Sequence, residues 1–499
     1  MADDLALGVD IGTGGARALL IDAAGTILGR GESSYPLLAP RPGLAEQRPE
    51  DWWTSACTAI EAAISDVRAE RIAGIGFAGQ MHGAVLVDER LQPLRTALLW
   101  CDGRAADAAG RITAERGAGW LIAQAGNPPL SGFTAPQLRF LSEQGDPALK
   151  RARWVLCAKD FVRLMMTGVP LAEPSDASGT GLYSIIERDW GADLAEAYGV
   201  DARMLPPIVG SGEGAGSVTA AAAKATGLVQ GTPVAAGAAD NAAAALGSGV
   251  TSAGQLMVSV GTSGTVLAPT GGEPDPSGRC HLFRHATGDG WYSMAVVLSA
   301  GGALSWWQGV AGADLEILAE EAERAPAGSD GVVMLPYLSG RRMPSNEPGA
   351  RGSFVGLSLS HGRAELTRAV LEGAGFALAD GLFSLREIGV TAKRAVITGA
   401  ASAHRIWQEI LGLAMPDLRL ERALPAEGAA LGAALLGFQV AGRPLEPLLE
   451  GMLTFEPVPA ADVPESGRDA VAAARRQFQA LSHDPLLTGR GEANAKETR

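Results

Sequence analysis

Two short apolar runs at the start of the chain flank a turn of small residues. The runs cover residues 5–11 and 16–22, and glycine and threonine fill the turn at 12–15. Apolar runs of this length around a glycine-rich turn are typical of a β-hairpin. A second turn at 22–25 leads to a further apolar run at 26–28. The pattern therefore predicts a three-stranded meander at the start of the chain, not a βαβ unit.

The apolar positions farther along predict alternating helices and strands. Helical spacing covers residues 52–69 and 363–388, and strand-like runs cover 71–77, 233–239 and 395–399. The run at 233–239 precedes an alanine-rich predicted helix. Gly373 and Gly375 lie inside the second long helix, where each costs about 1 kcal/mol relative to alanine, so we expect close packing or a ligand there. The alternation predicts an α/β architecture.

The opening pattern recurs half a chain later. Residues 8–15 align with residues 257–264 and share a valine, two glycines and a threonine at matching positions. Eight positions in a glycine-rich chain can match by chance, but both copies lie between apolar runs. Two related domains, each opened by a Gly-Thr hairpin, are the economical explanation.

Composition narrows the class of protein. The chain has 499 residues, 47% hydrophobic and 19% charged, and its 66 glycines are about twice the usual share. The net charge of −14 argues against partners such as nucleic acid polymers or anionic membranes. No apolar run approaches the roughly 18 residues of a membrane span, and the acidic N terminus is unlike a signal peptide. Four scattered cysteines do not form a disulfide framework, so we expect a cytoplasmic globular protein.

Two aspartates occupy positions suited to chemistry. Asp10 lies inside an apolar predicted strand, where a carboxylate without a partner is costly. A partner in the core would offset that cost, as would a divalent cation or polar substrate above the turn, and the turn amides favour the second reading. Asp240 follows a strand and precedes a helix, a position that fits a helix N-cap and a general base equally well.

Two short segments carry groups suited to a sugar or polyol. Residues 100–104, Trp-Cys-Asp-Gly-Arg, combine an aromatic face, a carboxylate and a guanidinium, although a surface ion pair explains them equally well. Residues 80–83, Gln-Met-His-Gly, contain one histidine, and a lone histidine is more often structural than catalytic.

Three other motifs are weaker. Residues 74–79 fit GxGxxG, but a loop and strand pattern follows in place of the helix that a dinucleotide site requires. No GxxxxGK[ST] phosphate loop is present in the sequence. Cys280, His281 and His285 lack a second ligand pair at zinc spacing, so we expect them in the core or a loop. The two turns and the sugar-like segments together favour a nucleotide-dependent enzyme over a scaffold.

A series of ordered blocks resembles the FGGY family of carbohydrate kinases. The resemblance extends from residue 5 to about residue 455, and its blocks are residues 10–15, 79–83, 100–104, 175–180, 240–241, 261–264, 335–340, 352–357 and 369–381. Many blocks in the family order are far more specific than any single glycine motif.

The resemblance implies an α/β, two-domain actin/hexokinase/Hsp70-like (ribonuclease H-like) fold with an interdomain cleft. It divides the chain into a sugar-binding N-terminal domain with the magnesium and phosphate hairpin (1–247), an ATP-binding C-terminal domain (248–488) and a polar tail (489–499). It implies ATP-dependent phosphorylation of a ketopentose, first of all D-xylulose to D-xylulose 5-phosphate, with Mg²⁺ as the metal ion. The alternatives are a kinase for another ketose or polyol, or a non-catalytic sugar-binding relative. The family also suggests a homodimer.

The resemblance also implies residue roles. Asp240 becomes the catalytic base, and Asp10 becomes a catalytic residue that holds Mg²⁺. The implied sugar pocket consists of Met81, His82, Trp100, Asp102, Asp240 and Asn241. The implied ATP site consists of Gly12, Thr13, Gly14, Gly261, Thr262, Ser263, Gly399 and Ala400.

The chain departs from the family pattern at several positions that bear on substrate and nucleotide preference. They are Cys101 in place of asparagine, Arg341 and Met343 in place of glutamate and threonine, Ala400 and Ala401 in place of two glycines, Gln137 in place of lysine, and Phe140 in place of tryptophan. None of them replaces Asp10, Asp240 or a residue of the two turns.

Overall fold

The computed structural model describes residues 4–41, 43–271, 276–288, 290–342, 345–484 and 487. The predicted polar tail at 489–499 lies outside these residues. In chain order, the described strands are β1 Leu5–Ile11, β2 Gly15–Asp22, β3 Ile27–Ser34, β4 Glu46–Gln47, β5 Ile72–Gly79, β6 Val85–Val87, β7 Ala97–Leu98, β8 Trp154–Leu156, β9 Tyr183–Ser184, β10 Asp189–Trp190, β11 Gly214–Ser217, β12 Pro233–Ala235, β13 Ala238–Ala239, β14 Gln255–Val260, β15 Gly264–Thr270, β16 His281–Arg284, β17 Trp291–Val297, β18 Val333–Leu335, β19 Ser353–Val355, β20 Arg394–Gly399, β21 Arg419–Leu424 and β22 Thr454–Pro457.

The α-helices, again in chain order, are α1 Pro49–Ile64, α2 Ala106–Arg116, α3 Ala118–Ala125, α4 Thr134–Glu143, α5 Pro147–Arg151, α6 Ala158–Thr167, α7 Pro174–Ala177, α8 Ala192–Tyr198, α9 Ala220–Thr226, α10 Asp240–Gly247, α11 Gly301–Ala311, α12 Leu315–Arg324, α13 Arg363–Glu387, α14 Ala400–Ala403, α15 Arg405–Ala414, α16 Gly428–Val440, α17 Leu445–Met452 and α18 Glu465–Ser482. Short 3-10 turns lie at Ala69–Arg71, Ala202–Met204 and Ser329–Gly331. Among the described helices, none has the length and apolar character needed to cross a membrane.

Two large sheets repeat one topology. The first has the strand order β11-β12-β5-β1-β2-β3, and the second has the order β16-β17-β15-β14-β20-β21-β22. In each sheet the opening strand is antiparallel to its hairpin partner and parallel to the strand on its other side. The series β3-β2-β1-β5-β12 therefore matches β17-β15-β14-β20-β21. The predicted α/β fold of two related domains, each opened by a Gly-Thr hairpin, is confirmed.

The predicted elements are present with shifted ends. The predicted helix at 52–69 runs over Pro49–Ile64, because proline fits the first helical turn and polar residues follow Ile64. The strand predicted at 233–239 is two short strands, Pro233–Ala235 and Ala238–Ala239. Gly237 separates them with a φ of +91°, a conformation open to glycine, and a Cβ there would overlap the carbonyl oxygen of Phe77. A single unbroken strand was therefore the wrong prediction for this segment.

Helices α10 and α16, named here the hinge pair, lie between the two sheets. Gly8, Gly74 and Gly76 of the first sheet face the backbone of α16, where a Cβ would overlap carbonyl oxygens of the helix. Gly432 of α16 likewise faces the carbonyl oxygen of Ala243 in α10. The apolar core around the pair includes side chains from both sheets. The GxGxxG sequence at 74–79 is therefore a helix-packing strand, in agreement with its rejection as a dinucleotide loop.

The two glycines inside α13 have a packing role. A Cβ on Gly373 would overlap the carbonyl oxygen of Met334, and one on Gly375 would lie 2.7 Å from Cγ2 of Ile410. The expected close packing is confirmed at both positions.

Gly432→Ala tests the hinge pair, with Gly110→Ala as the matched control. Both glycines lie inside helices, where alanine normally stabilises by about 0.5–1 kcal/mol. We expect Gly110→Ala to show that gain, because no atom lies within 4 Å of its Cβ position. We expect Gly432→Ala to destabilise the protein instead, and to lower the free energy of unfolding by about 1–3 kcal/mol or more. Thermal and urea denaturation measure both, and equal stabilisation of the two variants would contradict backbone contact in the hinge pair.

Candidate active site

The first hairpin turn lies at the ends of β1 and β2. Gly12 N donates to Gly15 O at 3.0 Å and closes the turn, and the Tyr35 hydroxyl donates to Gly12 O. Among the described residues, no acceptor is bonded to the backbone N–H groups of Thr13 and Gly14. Thr13 is partly exposed and Gly14 is exposed, and adjacent free amides in a turn form a cradle suited to an anion.

Side chains from three other segments fix this turn. Gln47 Nε2 donates to Thr13 O at 2.7 Å, and the Thr13 hydroxyl donates to Gln80 Oε1 at 3.2 Å. The Trp100 indole N–H in turn donates to Thr13 Oγ1 at 3.1 Å. Gln80 Nε2 also donates to Gln47 Oε1 at 2.9 Å, which closes the network. Gln47 and Gln80 were not assigned a role from the sequence, and only their polarity between apolar runs could have indicated one.

Asp10 lies at the C-terminal end of β1, beside the first turn. Burial raises the pKa of its carboxyl to about 6, and the positive charge of Arg17 acts in the opposite direction. Its Oδ1 atom is buried and accepts no hydrogen bond from the described residues. A buried carboxylate oxygen without a donor fits a hard divalent cation or its bound water, because such cations prefer oxygen ligands.

Asp240 is the first residue of α10, directly after β13. Asn241 donates to Asp240 Oδ1 through its backbone N at 2.6 Å and through Nδ2 at 2.8 Å. No hydrogen-bond donor of the described chain is bonded to Oδ2, so this oxygen is available to a ligand. Burial, and then the negative charge of Asp10, raise the pKa of Asp240 to about 7, although the two bonds from Asn241 oppose that shift. A carboxylate with a pKa near neutrality is suited to general base catalysis.

The second turn is built like the first and is braced by a helix N terminus. Gly261 N donates to Ser263 O at 2.9 Å, and the backbone amides of Thr262 and Ser263 have no acceptor among the described residues. Gly301 and Gly302, at the start of α11, donate to the carbonyls of Gly261 and Thr262 at 2.8 and 2.9 Å. A Cβ on either glycine would lie within 3 Å of these carbonyl oxygens. The Gly-Gly pair at the start of an apolar helix could have indicated this contact from the sequence, but no role was predicted for it.

Met81 connects Asp240 and Asn241 to the wall of the expected sugar pocket. Asn241 Nδ2 and the Tyr292 hydroxyl each lie 3.9 Å from Met81 Sδ. His82 follows Met81 and stacks on Phe133 with ring centroids 4.3 Å apart. The structure therefore links Met81 to Asp240 through Asn241, and His82 follows Met81 along the chain.

His82 is a neutral imidazole of defined tautomer. Its Nδ1 lies 2.6 Å from the carbonyl oxygen of Gly179, which only accepts hydrogen bonds, so Nδ1 carries the proton. Burial lowers the pKa of His82 to about 3 despite that bond, and the nearby Arg342 charge acts in the same direction as burial. Nε2 is therefore an acceptor at neutral pH.

A cavity of about 250 Å³ lies between the two domains, and Asp10 is part of its lining. Its lining includes Arg17 of β2, Ser259 of β14, and Gly399 and Ser402 near α14. Gly399 has a φ of +65°, and a Cβ there would overlap the carbonyl oxygen of Val260. The expected ATP residue Gly399 thus borders a cavity that also reaches the magnesium candidate Asp10.

Comparison with known proteins identifies the family. The FGGY carbohydrate kinase N-terminal domain matches residues 5–247, and the C-terminal domain of the same family matches residues 256–441. The chain belongs to the FGGY family of carbohydrate kinases. The predicted actin/hexokinase-like fold and ATP-dependent sugar kinase activity are therefore confirmed, and kinases of this family use ATP with a divalent metal ion.

Similar proteins cover nearly the whole chain. The xylulose kinase of Escherichia coli K12 is 35% identical over 483 residues, which are 96% of this chain and 99% of that protein. The xylulose kinase of Bacillus subtilis 168 is 36% identical over 438 residues, covering 86% of this chain and 87% of that protein. The crystal structure of a xyloylose kinase from Brucella ovis superposes with a TM-score of 0.86 at 36% identity, over 96% of this chain and 98% of that one.

Asp102 of this FGGY kinase has both carboxylate oxygens bonded to Ala45 and Arg104. Its Oδ2 accepts from Ala45 N at 2.7 Å and from Arg104 Nη2 at 2.8 Å, and its Oδ1 accepts from Arg104 N and Nε at 2.9 and 2.8 Å. The side chain is 0% exposed. The carboxylate of Asp102, an expected sugar ligand, therefore holds the loop that presents Trp100.

The side chain of Arg341 is bonded within the second domain. Arg341 Nη1 donates to Ser482 O at 2.7 Å, at the C-terminal end of α18, and lies 4.0 Å from Glu347. The neighbouring Arg342 enters the buried region near His82 and Cys101, and within the described residues it has no hydrogen bond or ion pair. Burial lowers its pKa to about 10. Met343 lies outside the described residues.

Four further departures have distinct structural contexts. Gln137 accepts from Ala84 N at 3.2 Å and donates to Leu99 O at 3.0 Å, a combination that lysine cannot provide. Ala401 is fully buried in the core of the second domain. Ala400, an expected ATP residue, follows Gly399 and packs partly against the same core. Phe140 is partly buried against another apolar cluster.

The expected core or loop roles of the Cys280 and His281 group agree with the structure. Cys280 is buried, His281 Nδ1 lies 3.1 Å from Asn127 Oδ1, and His285 Nε2 lies 3.1 Å from Val250 O. His285 Nδ1 also accepts from Thr287 N at 3.2 Å, so both ring nitrogens of His285 are bonded to the protein.

Asp240→Asn is expected to raise the Tm of the ligand-free protein, and by more at pH 8 than at pH 5. The folded pKa of about 7 lies above the ordinary 3.8, so ionised Asp240 destabilises the fold. The free-energy cost of ionised Asp240 is largest above pH 7. It decreases as the pH falls from 7 towards 4 and is absent below pH 4. Differential scanning calorimetry without metal measures it. Asp201→Asn is the control, because Arg203 lowers the pKa of that exposed carboxyl, and its loss should not raise the Tm. A lower Tm for Asp240→Asn at pH 8 would contradict the electrostatic cost.

Proposed function

We propose that this FGGY kinase transfers the γ-phosphoryl group of ATP to the terminal hydroxyl of D-xylulose and forms D-xylulose 5-phosphate. The observation that carries the proposal is Asp240: one oxygen is fixed by Asn241, the other is free, and its pKa lies near 7. The substrate rests on the relatives, since the most similar curated proteins reported above are named xylulose kinases.

Asp240 is proposed as the general base. Its free Oδ2 accepts the proton of the sugar hydroxyl as that oxygen forms a bond to the γ-phosphorus, while the bond from phosphorus to the bridging oxygen breaks and ADP leaves. Phosphoryl transfer has a loose transition state, so in-line positioning and charge stabilisation contribute more than covalent chemistry. The fixed Oδ1 keeps the free oxygen in one orientation.

His82, Trp100 and Asn241 are proposed to recognise the sugar. His82 Nε2 accepts a hydrogen bond from a hydroxyl, and the Asn241 carbonyl oxygen is a second acceptor because both of its amide protons are already directed to Asp240 and Met81. Trp100 directs its N–H to Thr13, which leaves the ring faces for stacking. Neutral acceptors of this kind select for hydroxyl donors over anions.

The two turns are proposed to hold the terminal phosphates. The free amides of Thr13, Gly14, Thr262 and Ser263 come from different domains, so one polyphosphate between them would contact both. Gly12 and Gly261 close the turns, and Gly399 and Ala400 border the adenosine side. Asp10 is the residue proposed to hold Mg²⁺, which supplies neutralisation of phosphate charge when bound.

Cytoplasmic location and a homodimeric assembly also belong to the proposal. The four cysteines are free thiols in the structure, which suits a reducing compartment. The dimer rests on the family resemblance and is open to measurement by light scattering.

A coupled ADP-release assay over pentuloses, hexuloses and polyols tests the substrate. We expect D-xylulose to give the highest kcat/KM, with product mass increased by one phosphate and activity lost on removal of divalent metal with EDTA. A higher kcat/KM for another ketose or polyol would replace D-xylulose. Sugar binding without turnover on any member of the panel would contradict the kinase proposal.

Asp240→Asn and Asp240→Ala test the base. General base contributions of about 10²- to 10⁴-fold lead us to expect kcat to fall by that factor. The sugar affinity, measured by calorimetry, should change far less because His82, Asn241 and Trp100 remain. Asp201→Asn, on an exposed loop, is the activity control. A kcat near that of the unmodified enzyme for both Asp240 variants would refute the assignment.

A further inference from the structure

A buried cluster of five charged side chains lies next to the segment that ends at Asp240. Lys159 Nζ is 2.7 Å from Asp160 Oδ1, 2.8 Å from Asp176 Oδ2 and 3.2 Å from Glu173 Oε1. Arg163 Nη1 is 2.9 Å from Asp160 Oδ1. These side chains are all 0–2% exposed, and we call them the Lys159 cluster. Buried charges are costly unless well paired, so a cluster of this size calls for an explanation beyond stability.

The cluster contains its own cation. Ligand atoms of Cys157, Asp160 and Asp176 lie within 4.8 Å of one another, a spacing compatible with a metal ion. The ammonium group of Lys159 already lies against both carboxylates. The three surrounding carboxylates raise the pKa of Lys159 despite the opposing effect of burial, so the ammonium stays charged.

Ser175 connects this cluster to the chain at Asp240. Its hydroxyl donates to Glu173, with oxygen distances of 2.8 and 2.9 Å, and accepts from Ala239 N at 2.8 Å. Asp240 is the next residue and begins α10. A continuous path of hydrogen bonds and ion pairs therefore runs from Lys159 through Glu173 and Ser175 to the backbone directly before Asp240.

Three further contacts hold the surroundings of that path. Arg163 Nη1 donates to Ala236 O at 2.5 Å, so both ends of the segment 236–239 are bonded to the cluster or to Ser175. The segment 175–180 also supplies the Gly179 carbonyl that fixes the tautomer of His82. The Ser178 hydroxyl accepts from Arg284 N of the second sheet at 2.9 Å.

We propose that Ser175 is a positioning residue for Asp240, anchored by Glu173 on the Lys159 cluster. The inference rests on the proposed role of Asp240 as the base. Ser175 touches no reacting atom, and it acts by fixing the backbone amide that precedes the helix start. A small displacement of a catalytic group from its reactive geometry lowers the rate strongly and leaves ground-state binding nearly intact.

Ser175→Ala and Ser211→Ala form a matched pair for the test. The Ser211 hydroxyl also donates to Glu173, at 2.8 Å to Oε2, but it has no bond to Ala239. Each substitution removes one buried hydroxyl from the same carboxylate, and only Ser175→Ala leaves the Ala239 amide without its acceptor. Ser175→Cys, which keeps a weaker acceptor at the same place, serves as the second variant should Ser175→Ala fail to fold.

The readouts are steady-state kinetics and hydrogen exchange of peptides that cover residues 236–240. We expect Ser175→Ala to lower kcat roughly 10- to 100-fold, with the sugar KM changed by less than about threefold, and to speed exchange in this segment. We expect Ser211→Ala to do neither, and Ser175→Cys to lie between Ser175→Ala and the unmodified enzyme.

Asp240→Asn, assayed alongside, separates the possible failures. If Asp240→Asn is inactive while Ser175→Ala matches Ser211→Ala in kcat and in exchange, the positioning role is refuted and the base assignment stands. A loss confined to KM in Ser175→Ala also refutes the positioning role. Near-normal activity of Asp240→Asn overturns the base assignment and this inference with it.

Discussion

Backbone contact between α16 and the strands of the first sheet is the constraint on which the arrangement of the two domains depends. The helix follows β21 of the second sheet, yet it lies on β1 and β5 of the first. Gly8 and Gly76 permit this because a side chain at either position would occupy the space of a helix carbonyl. Close packing at this density allows little adjustment. The hinge pair thus contacts the first sheet through main-chain surfaces, and apolar side chains from both sheets complete the core around it.

The positions of the two cleft aspartates, Asp10 and Asp240, depend on that packing. Asp10 ends the central strand under α16, and Asp240 begins the other helix of the pair. Both carboxylates are removed from water, and the charge of Asp10 adds to the cost of ionising Asp240. The fold accepts an unfavourable electrostatic arrangement at the site where the chemistry is proposed, as functional sites commonly do.

The sequence allowed prediction of features that depend on local pattern. The two hairpin turns, their repeat, and the strands around them follow from short apolar runs and small residues, and the structure contains them. The partner of Gly76 could not be inferred, because Ala433 lies more than 350 residues away along the chain. Nor could the pattern distinguish Asp102 as a sugar ligand from Asp102 as a loop brace, since that depends on Ala45 and on the rotamer of Arg104. The family resemblance predicted which residues gather at the cleft, and only coordinates give their hydrogen-bond partners.

The hydrogen bond from Trp100 to Thr13 has a consequence for changing the specificity of the enzyme. One side chain borders the expected sugar pocket and also holds a turn expected to carry phosphate, so altering it to admit another sugar would disturb the handling of ATP as well. Cys101, the next residue, is exposed and has no side-chain hydrogen bond among the described residues. A substitution at Cys101, where the chain departs from the family, therefore breaks no side-chain hydrogen bond and leaves the Trp100–Thr13 link intact.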